Sequence, residues 1–323
     1  MARITMREAI SQALWEEMER DPNSVMMGEE VGVWGGTYAV TKGFYDHFGG
    51  KRVRDTPIAE AAIVGAAVGA AMKGLKPVAE IMTINFAFVA FEQIVNEMPK
   101  FHYMFGGQFK VPVVVRTVSG GGRQLGATHS QTPAAIFAHF PGLVVVAPGT
   151  PADAKGMLKS ALRTKNPVLF IEHATLYQTR GEVPEGDYVV PLGKSTVQRP
   201  GSDVTIVTYS KMLEISLKAA DQLAKEGIEA EIVDLRSLRP LDMGPVIESF
   251  KKTNRAVIVA EGWPSYGVGA EVSARIYEQA FDYVDAPIKR VAQAEVPLPY
   301  NRTLEQMAIP KVDDVIKAVK EVL

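Results

Sequence analysis

The chain has 323 residues, 47% of them hydrophobic and 22% charged, with a formal net charge of −2. That length calls for two hydrophobic cores rather than one, and so balanced a charge excludes broad attraction to nucleic acid or to an anionic membrane. There is no cysteine, which removes disulfides, thiolate nucleophiles and cysteine-ligated metals.

In chain order, residues 1–7 carry neither a secretory nor a transit pattern. Residues 55–60 (Asp-Thr-Pro-Ile-Ala-Glu) read as a helix start. Thr56 is the expected cap, and Pro57 suits the first helical position, where its missing N–H costs nothing. Residues 61–72 are apolar on every side, which predicts a buried helix. Gly65 and Gly69 lie four apart on one face, so another backbone can approach there. The stretch is too short to span a bilayer, which needs about 20 apolar residues. A soluble, cytoplasmic protein is expected.

Residues 77–81, 111–115, 143–146 and 167–171 are continuous apolar runs. Such runs predict strands buried on both faces of a parallel sheet, with helices such as 87–98 as crossovers. Residues 182–202 turn rich in Gly, Pro and charge and read as a linker. A second α/β pattern follows. It has strands at 204–209, 230–235 and 256–260, helices at 213–226 and 269–281, and an amphipathic tail at 312–323. The fold class is therefore α/β, with two doubly wound domains at 1–185 and 203–323 joined by a linker at 186–202.

Glu60 stands at the mouth of an apolar helix. By position alone it complements the helix dipole, worth roughly 0.3–1 kcal/mol. The alternative is an acid held in an apolar cleft with a raised pKa, able to hydrogen-bond a ring nitrogen and move its proton. Other motifs decide less. Ser130 beside His129 does not make a hydrolase, since sequence neighbours do not form a triad and no G-x-S-x-G is present. His129, His139 and His173 lack metal-site spacing. Residues 120–126 miss the dinucleotide fingerprint by their last spacing, and they lack the Lys-Ser/Thr ending of a phosphate loop.

Residues 28–31 (Gly-Glu-Glu-Val), 55–60, 82–86 (Met-Thr-Ile-Asn-Phe) and 126–131 (Gly-Ala-Thr-His-Ser-Gln) form an ordered set, and 234–242 and 297–300 extend it. The set resembles the beta subunit of the decarboxylating component of 2-oxo acid dehydrogenase complexes, over essentially the whole chain. The resemblance implies a pyrimidine-binding, thiamine diphosphate-type N-terminal domain and a transketolase C-terminal-type second domain. It implies that Glu60 pairs with the cofactor's aminopyrimidine, that Phe86 packs on that ring, and that Glu29 and Ile58 line it. His129 falls near the reacting carbon. The substrate class would be a small 2-oxo acid, with the acyl unit passed to a lipoyl group. Residues 83–86 and 122–126 look more like members acting on pyruvate than on branched-chain acids or acetoin. A monovalent cation, K⁺ in relatives, would be held at Val113, Ala161, Leu162, Thr164 and Asn166, although Thr164 stands where many relatives have an acid.

The family's diphosphate is anchored through Mg²⁺ by a Gly-Asp-Gly motif, and this sequence has none. An alpha subunit is therefore expected to bring the metal, in a heterotetramer of two alpha and two beta chains. The acyltransferase component, with its lipoyl and subunit-binding domains, is the expected further partner, contacted through residues 263–323. Two other readings stand beside this one: a split transketolase subunit, and a module that serves mainly in assembly.

Overall fold

The computed structural model describes Met1–Leu323 and divides into two compact units. The first holds Met1–Ser119 and Ile136–Leu192; the second holds Gly120–Ala135 and Gly193–Leu323.

The first unit opens with β1 (Ala2–Thr5) and α1 (Met6–Arg20). Thr5 and Glu8 cap α1 reciprocally: the Thr5 hydroxyl accepts from the Glu8 amide, and the Glu8 carboxylate accepts from the Thr5 amide at 2.7 Å. Next come β2 (Ser24–Gly28), α2 (Phe44–Phe48), β3 (Val53–Asp55), α3 (Glu60–Met72), β4 (Lys76–Ile81) and α4 (Met98–Met104). β5 (Val114–Ser119), α5 (Ala134–Ala138), β6 (Val144–Val146), α6 (Pro151–Arg163), β7 (Val168–His173) and β8 (Arg180–Val183) complete it. The central strands lie in the order β6-β7-β5-β4-β2-β3, all parallel. β5 and β7 are buried along their whole length, which is why each opens on a continuous apolar run rather than an alternating one.

The second unit contains β9 (Thr196–Arg199), β10 (Val204–Thr208), α7 (Lys211–Ala224), β11 (Ala230–Asp234), β12 (Ser237–Arg239) and α8 (Gly244–Thr253). It continues through β13 (Ala256–Val259), α9 (Val268–Ala280), β14 (Lys289–Val291), α10 (Arg302–Ala308) and α11 (Val312–Lys320). Its sheet runs β14-β13-β10-β11-β9, parallel except for β9 at the edge. Val204, Ile206, Leu213, Leu223, Ile232, Val257 and Val319 pack into its core.

The structure departs from the sequence expectations in four places. The units do not meet at one cut through 186–202. β9 lies inside that span and pairs antiparallel with β11, and the Asp187 carboxylate accepts from Lys159 and Arg163. The cation partners hold Asp187 far below the usual carboxylate range. Gly- and Pro-rich composition there marks turns between ordered contacts, not a free connector.

α3 begins at Glu60, three residues after Pro57, and Ala59 is its cap. The Thr56 amide donates to the Gly28 carbonyl at 3.0 Å, so residues 56–59 stay tied to the sheet end. The Thr56 hydroxyl caps nothing; it is buried without a partner.

The apolar helix is buried on one side only. Ile63, Val64, Ala67, Val68 and Ala71 face the core, while Ala62, Ala66 and Gly69 are exposed. A Cβ on Gly69 would meet nothing within 4 Å.

The expected helix over 87–98 is instead a 3₁₀ turn (Ile84–Phe88), a π-helical turn (Gln93–Glu97) and then α4. Wide turns of that kind gather at functional sites.

Candidate active site

Parallel strands leave their loops at the C-terminal edge of a sheet, and ligand-binding groups collect there. Four candidates emerge from that edge in three neighbouring strands. Glu29 follows β2, Ile58 and Glu60 follow β3, and Phe86 follows β4. Glu29 and Glu60 are both buried, at 6% and 5% exposure. Burial raises the Glu29 pKa above the ordinary carboxylate range, and the negative charges of Glu60, Glu30 and Glu80 raise it further. One oxygen of Glu29, Oε1, is buried with no hydrogen-bond partner. Two buried carboxylates that repel each other, one with an orphaned oxygen, form a place built to receive hydrogen-bond donors.

The loop after β2 is itself fixed. The Asp55 carboxylate accepts from the amides of Gly32 at 2.6 Å and Val33 at 3.2 Å. Thr41 Oγ1 donates to the Val31 carbonyl at 2.7 Å. Phe86 is half-buried, and its amide donates to the Thr83 carbonyl at 2.9 Å. Thr83 Oγ1 in turn donates to Asn85 Oδ1, which leaves Asn85 Nδ2 buried and unpartnered. Ile58 is 80% exposed, and Val33, Trp34, Phe88 and Val89 on these same segments are exposed too. An apolar rim of this kind around buried acids marks a surface that other groups cover.

Behind the loop lies a charge cluster that sequence reasoning missed. The fully buried Arg116 on β5 donates to Glu80 on β4 at 2.6 Å and to both oxygens of Glu172 on β7 at 2.7 and 3.0 Å. The Tyr177 hydroxyl donates to Glu172 at 2.5 Å. Burial would lower the Arg116 pKa, but Glu172 and Glu80 outweigh it and hold the guanidinium charged. Burial pushes Glu80 and Tyr177 upward. A Cβ on Gly36 would stand 3.1 Å from Glu80 Oε1, so the cluster packs directly under the loop that follows Glu29. Its sequence signal was an arginine directly after the apolar run at 111–115.

His129 lies in the segment that belongs to the second unit. It is exposed, with Nδ1 2.9 Å from Thr128 Oγ1 and its amide donating to the Gly126 carbonyl at 3.2 Å. The residues expected at a cation sit at the opposite, N-terminal edge of the first sheet. Val113 precedes β5, Ala161 and Leu162 end α6, and Thr164 and Asn166 precede β7. The Val113 carbonyl accepts from Val168 at 2.9 Å, and the Asn166 amide donates to Thr164 Oγ1 at 3.3 Å. The last carbonyls of a helix have no intrahelical amide to accept from, so Ala161 and Leu162 offer oxygen atoms of the kind a hard cation takes. No group of three or more His, Asp or Glu side chains in the chain is arranged to hold a metal ion.

Glu29→Gln carries a pH-dependent prediction. A carboxylate whose folded pKa is raised binds its proton more tightly in the folded state, so it opposes folding once the pH exceeds its unfolded value of 4.5. The variant is expected to melt above the wild type at neutral pH. The difference should shrink as the pH falls through the raised value and vanish below the ordinary carboxylate range. Melting curves from pH 4 to pH 8, taken as about this range, check it.

Residues 2–180 match the family described as transketolase, pyrimidine binding domain, and residues 193–315 match the transketolase C-terminal domain. A pyruvate dehydrogenase E1 component subunit beta-2, mitochondrial, from Oryza sativa subsp. japonica is 48% identical over 321 residues, covering 98% of this chain and 85% of the relative. The pyruvate dehydrogenase E1 component subunit beta of Rhizobium meliloti (strain 1021) is 49% identical over 323 residues, covering 100% and 70%. That of Rickettsia felis is 49% identical over 319 residues, covering 99% and 98%. Among solved structures, a split gene transketolase, described as an inactive beta4 tetramer, aligns with a TM-score of 0.79 at 27% identity over 100% of this chain and 99% of its own. With both domain families matched in order, and near-half identity along its whole length, the chain belongs to the family of pyruvate dehydrogenase E1 component beta subunits.

Proposed function

We propose that this chain is the beta subunit of a thiamine diphosphate-dependent pyruvate dehydrogenase and becomes active when an alpha subunit completes its site. The observation that carries the reading is the buried pair Glu29 and Glu60, with its orphaned carboxylate oxygen, at the C-terminal edge of a pyrimidine-binding fold. An aminopyrimidine offers an amino group and a protonatable ring nitrogen, so it fits a pair of buried acids in which one oxygen of Glu29 has no donor. When bound, thiamine diphosphate supplies the carbon nucleophile and the electron sink for decarboxylation of a 2-oxo acid.

This chain's residues supply the surroundings. Glu60 accepts a hydrogen bond from the pyrimidine nitrogen and holds or returns its proton. Glu29 lies beside it and takes a second donor. Phe86 and Ile58 give the ring an apolar seat that excludes water. His129 hydrogen-bonds or protonates the reacting oxygen, consistent with an imidazole kept accessible on a loop. The Mg²⁺ and the diphosphate fall to the alpha subunit, in line with a sequence that has no Gly-Asp-Gly motif. The carbonyls of Val113, Ala161 and Leu162, with Thr164 and Asn166, are the seat for K⁺.

The complete enzyme is a heterotetramer in the cytoplasm. It hands its acetyl unit to a lipoyl group of the acyltransferase component, whose subunit-binding domain docks on residues 263–323. The test is co-expression with an alpha subunit and a substrate panel. Pyruvate should be turned over well ahead of branched-chain 2-oxo acids and acetoin; a preference for either of those would overturn the substrate assignment. The split transketolase is the second reading, favoured by the structural match at TM-score 0.79. Turnover of sugar phosphates by the assembled enzyme would establish it in place of the first.

A further inference from the structure

The second unit holds a pair of buried carboxylates that the proposed chemistry does not use. Glu305 is fully buried on α10. Its oxygens accept from the Gly122 amide at 2.9 Å, the Gln124 amide at 3.1 Å and Gln124 Nε2 at 2.8 Å. Glu261, also buried, accepts from the Gly121 amide at 2.7 Å.

Gly122 and Gln124 both adopt positive φ, 91° and 56°. Their amides converge on one carboxylate as a backbone nest converges on an anion. Three glycines in a row would otherwise leave this segment with high conformational entropy. Farther along, a Cβ on Gly126 would lie 2.4 Å from the Tyr300 ring, so the chain passes flush against that residue. The turn closed by the Gly126 carbonyl and the His129 amide comes next. The segment that carries His129 is thus held at its glycine end by Glu261 and Glu305, and along its length by the Tyr300 ring.

We propose that Glu305 is a positioning residue for His129. Its buried carboxylate substitutes for a bound anion, orders Gly122 to Gln124, and so fixes where the imidazole is presented. The inference rests on the reading that His129 acts in the reaction. Charge-assisted bonds from backbone amides to a buried carboxylate are strong, and leaving that carboxylate without its donors is costly.

The test uses the assembled enzyme carrying Glu305→Gln, which keeps the side chain's shape but sets an NH₂ group against N–H donors. Hydrogen exchange at the Gly122 and Gln124 amides should accelerate by about tenfold or more, while β10 and β13 amides stay protected. Turnover should fall by roughly tenfold with little change in KM. In the His129→Ala background the same substitution should cost less than about twofold, because the two residues act as one unit. Gln124→Ala removes one donor while leaving the buried carboxylate in place, and should move exchange in the same direction by less. Unchanged exchange in both variants would overturn the proposal. So would a turnover loss that multiplies fully onto His129→Ala. Full turnover in His129→Ala alone would instead defeat the role given to His129, and the exchange rates would then report separately on whether Glu305 holds the segment.

Discussion

Glu60→Gln should leave the chain folded and reduce turnover of the assembled enzyme by two orders of magnitude or more, taking about 10²–10⁴ as the usual worth of a positioned acid–base group. The fold is expected to tolerate the change because Glu60 is half of a repulsive pair. Its charge raises the pKa of Glu29, so removing it relieves Glu29 rather than stranding it. The amide keeps the side chain's volume at the first residue of α3. What it loses is the ability to hold and return a proton. Steady-state kinetics beside a melting curve separates the two effects. Turnover within a few-fold of the wild type would refute the role.

Arg116→Met should cost stability heavily, by about 3–5 kcal/mol, because it strands two buried carboxylates. Glu80 and Glu172 have side-chain exposures of 12% and 1%. The three residues stand on adjacent central strands, with Arg116 in direct register with Glu80. A loss of that size is a large share of the roughly 5–15 kcal/mol that holds a domain together. It corresponds to a melting temperature lower by on the order of 10 °C. Replacing Glu80 and Glu172 by Gln in the same chain should recover part of the loss, since neutral amides can satisfy one another where unpaired charges cannot. Because Glu80 packs under Gly28 and Gly36, cofactor-dependent activity should fall before the unit unfolds. Thermal denaturation of the single and triple variants checks this; a single variant as stable as wild type would show that the cluster is dispensable.

Much of the architecture was legible in the chain. Residues 167–171 and 204–209 announced buried parallel strands because they face apolar layers on both sides. The order of Glu29, Glu60 and Phe86 along the chain mapped onto the ends of β2, β3 and β4, so local motifs were enough to gather these side chains at one sheet edge. What stayed hidden depends on distant pairing. Arg116 meets partners 36 and 56 residues away, and Glu305 meets Gly122 across 183 residues. No local periodicity encodes such contacts. The start of α3 was misplaced for a related reason. Pro57 favours a helix locally, but a hydrogen bond from Thr56 to Gly28 keeps the chain extended until Glu60. Propensity lost there to a tertiary tie. The exposed face of Ala62, Ala66 and Gly69 looked like core for the same reason: sequence hydrophobicity does not say whether the same chain or another covers a surface.

The central claim is that this chain holds half of a thiamine diphosphate site. Its most direct test is calorimetric titration of the cofactor with Mg²⁺ into the chain alone and into its complex with an alpha subunit. The account predicts no saturable binding to the chain alone, and tight binding to the complex that weakens in Glu60→Gln. Saturable, Mg²⁺-dependent binding to the isolated chain would contradict it.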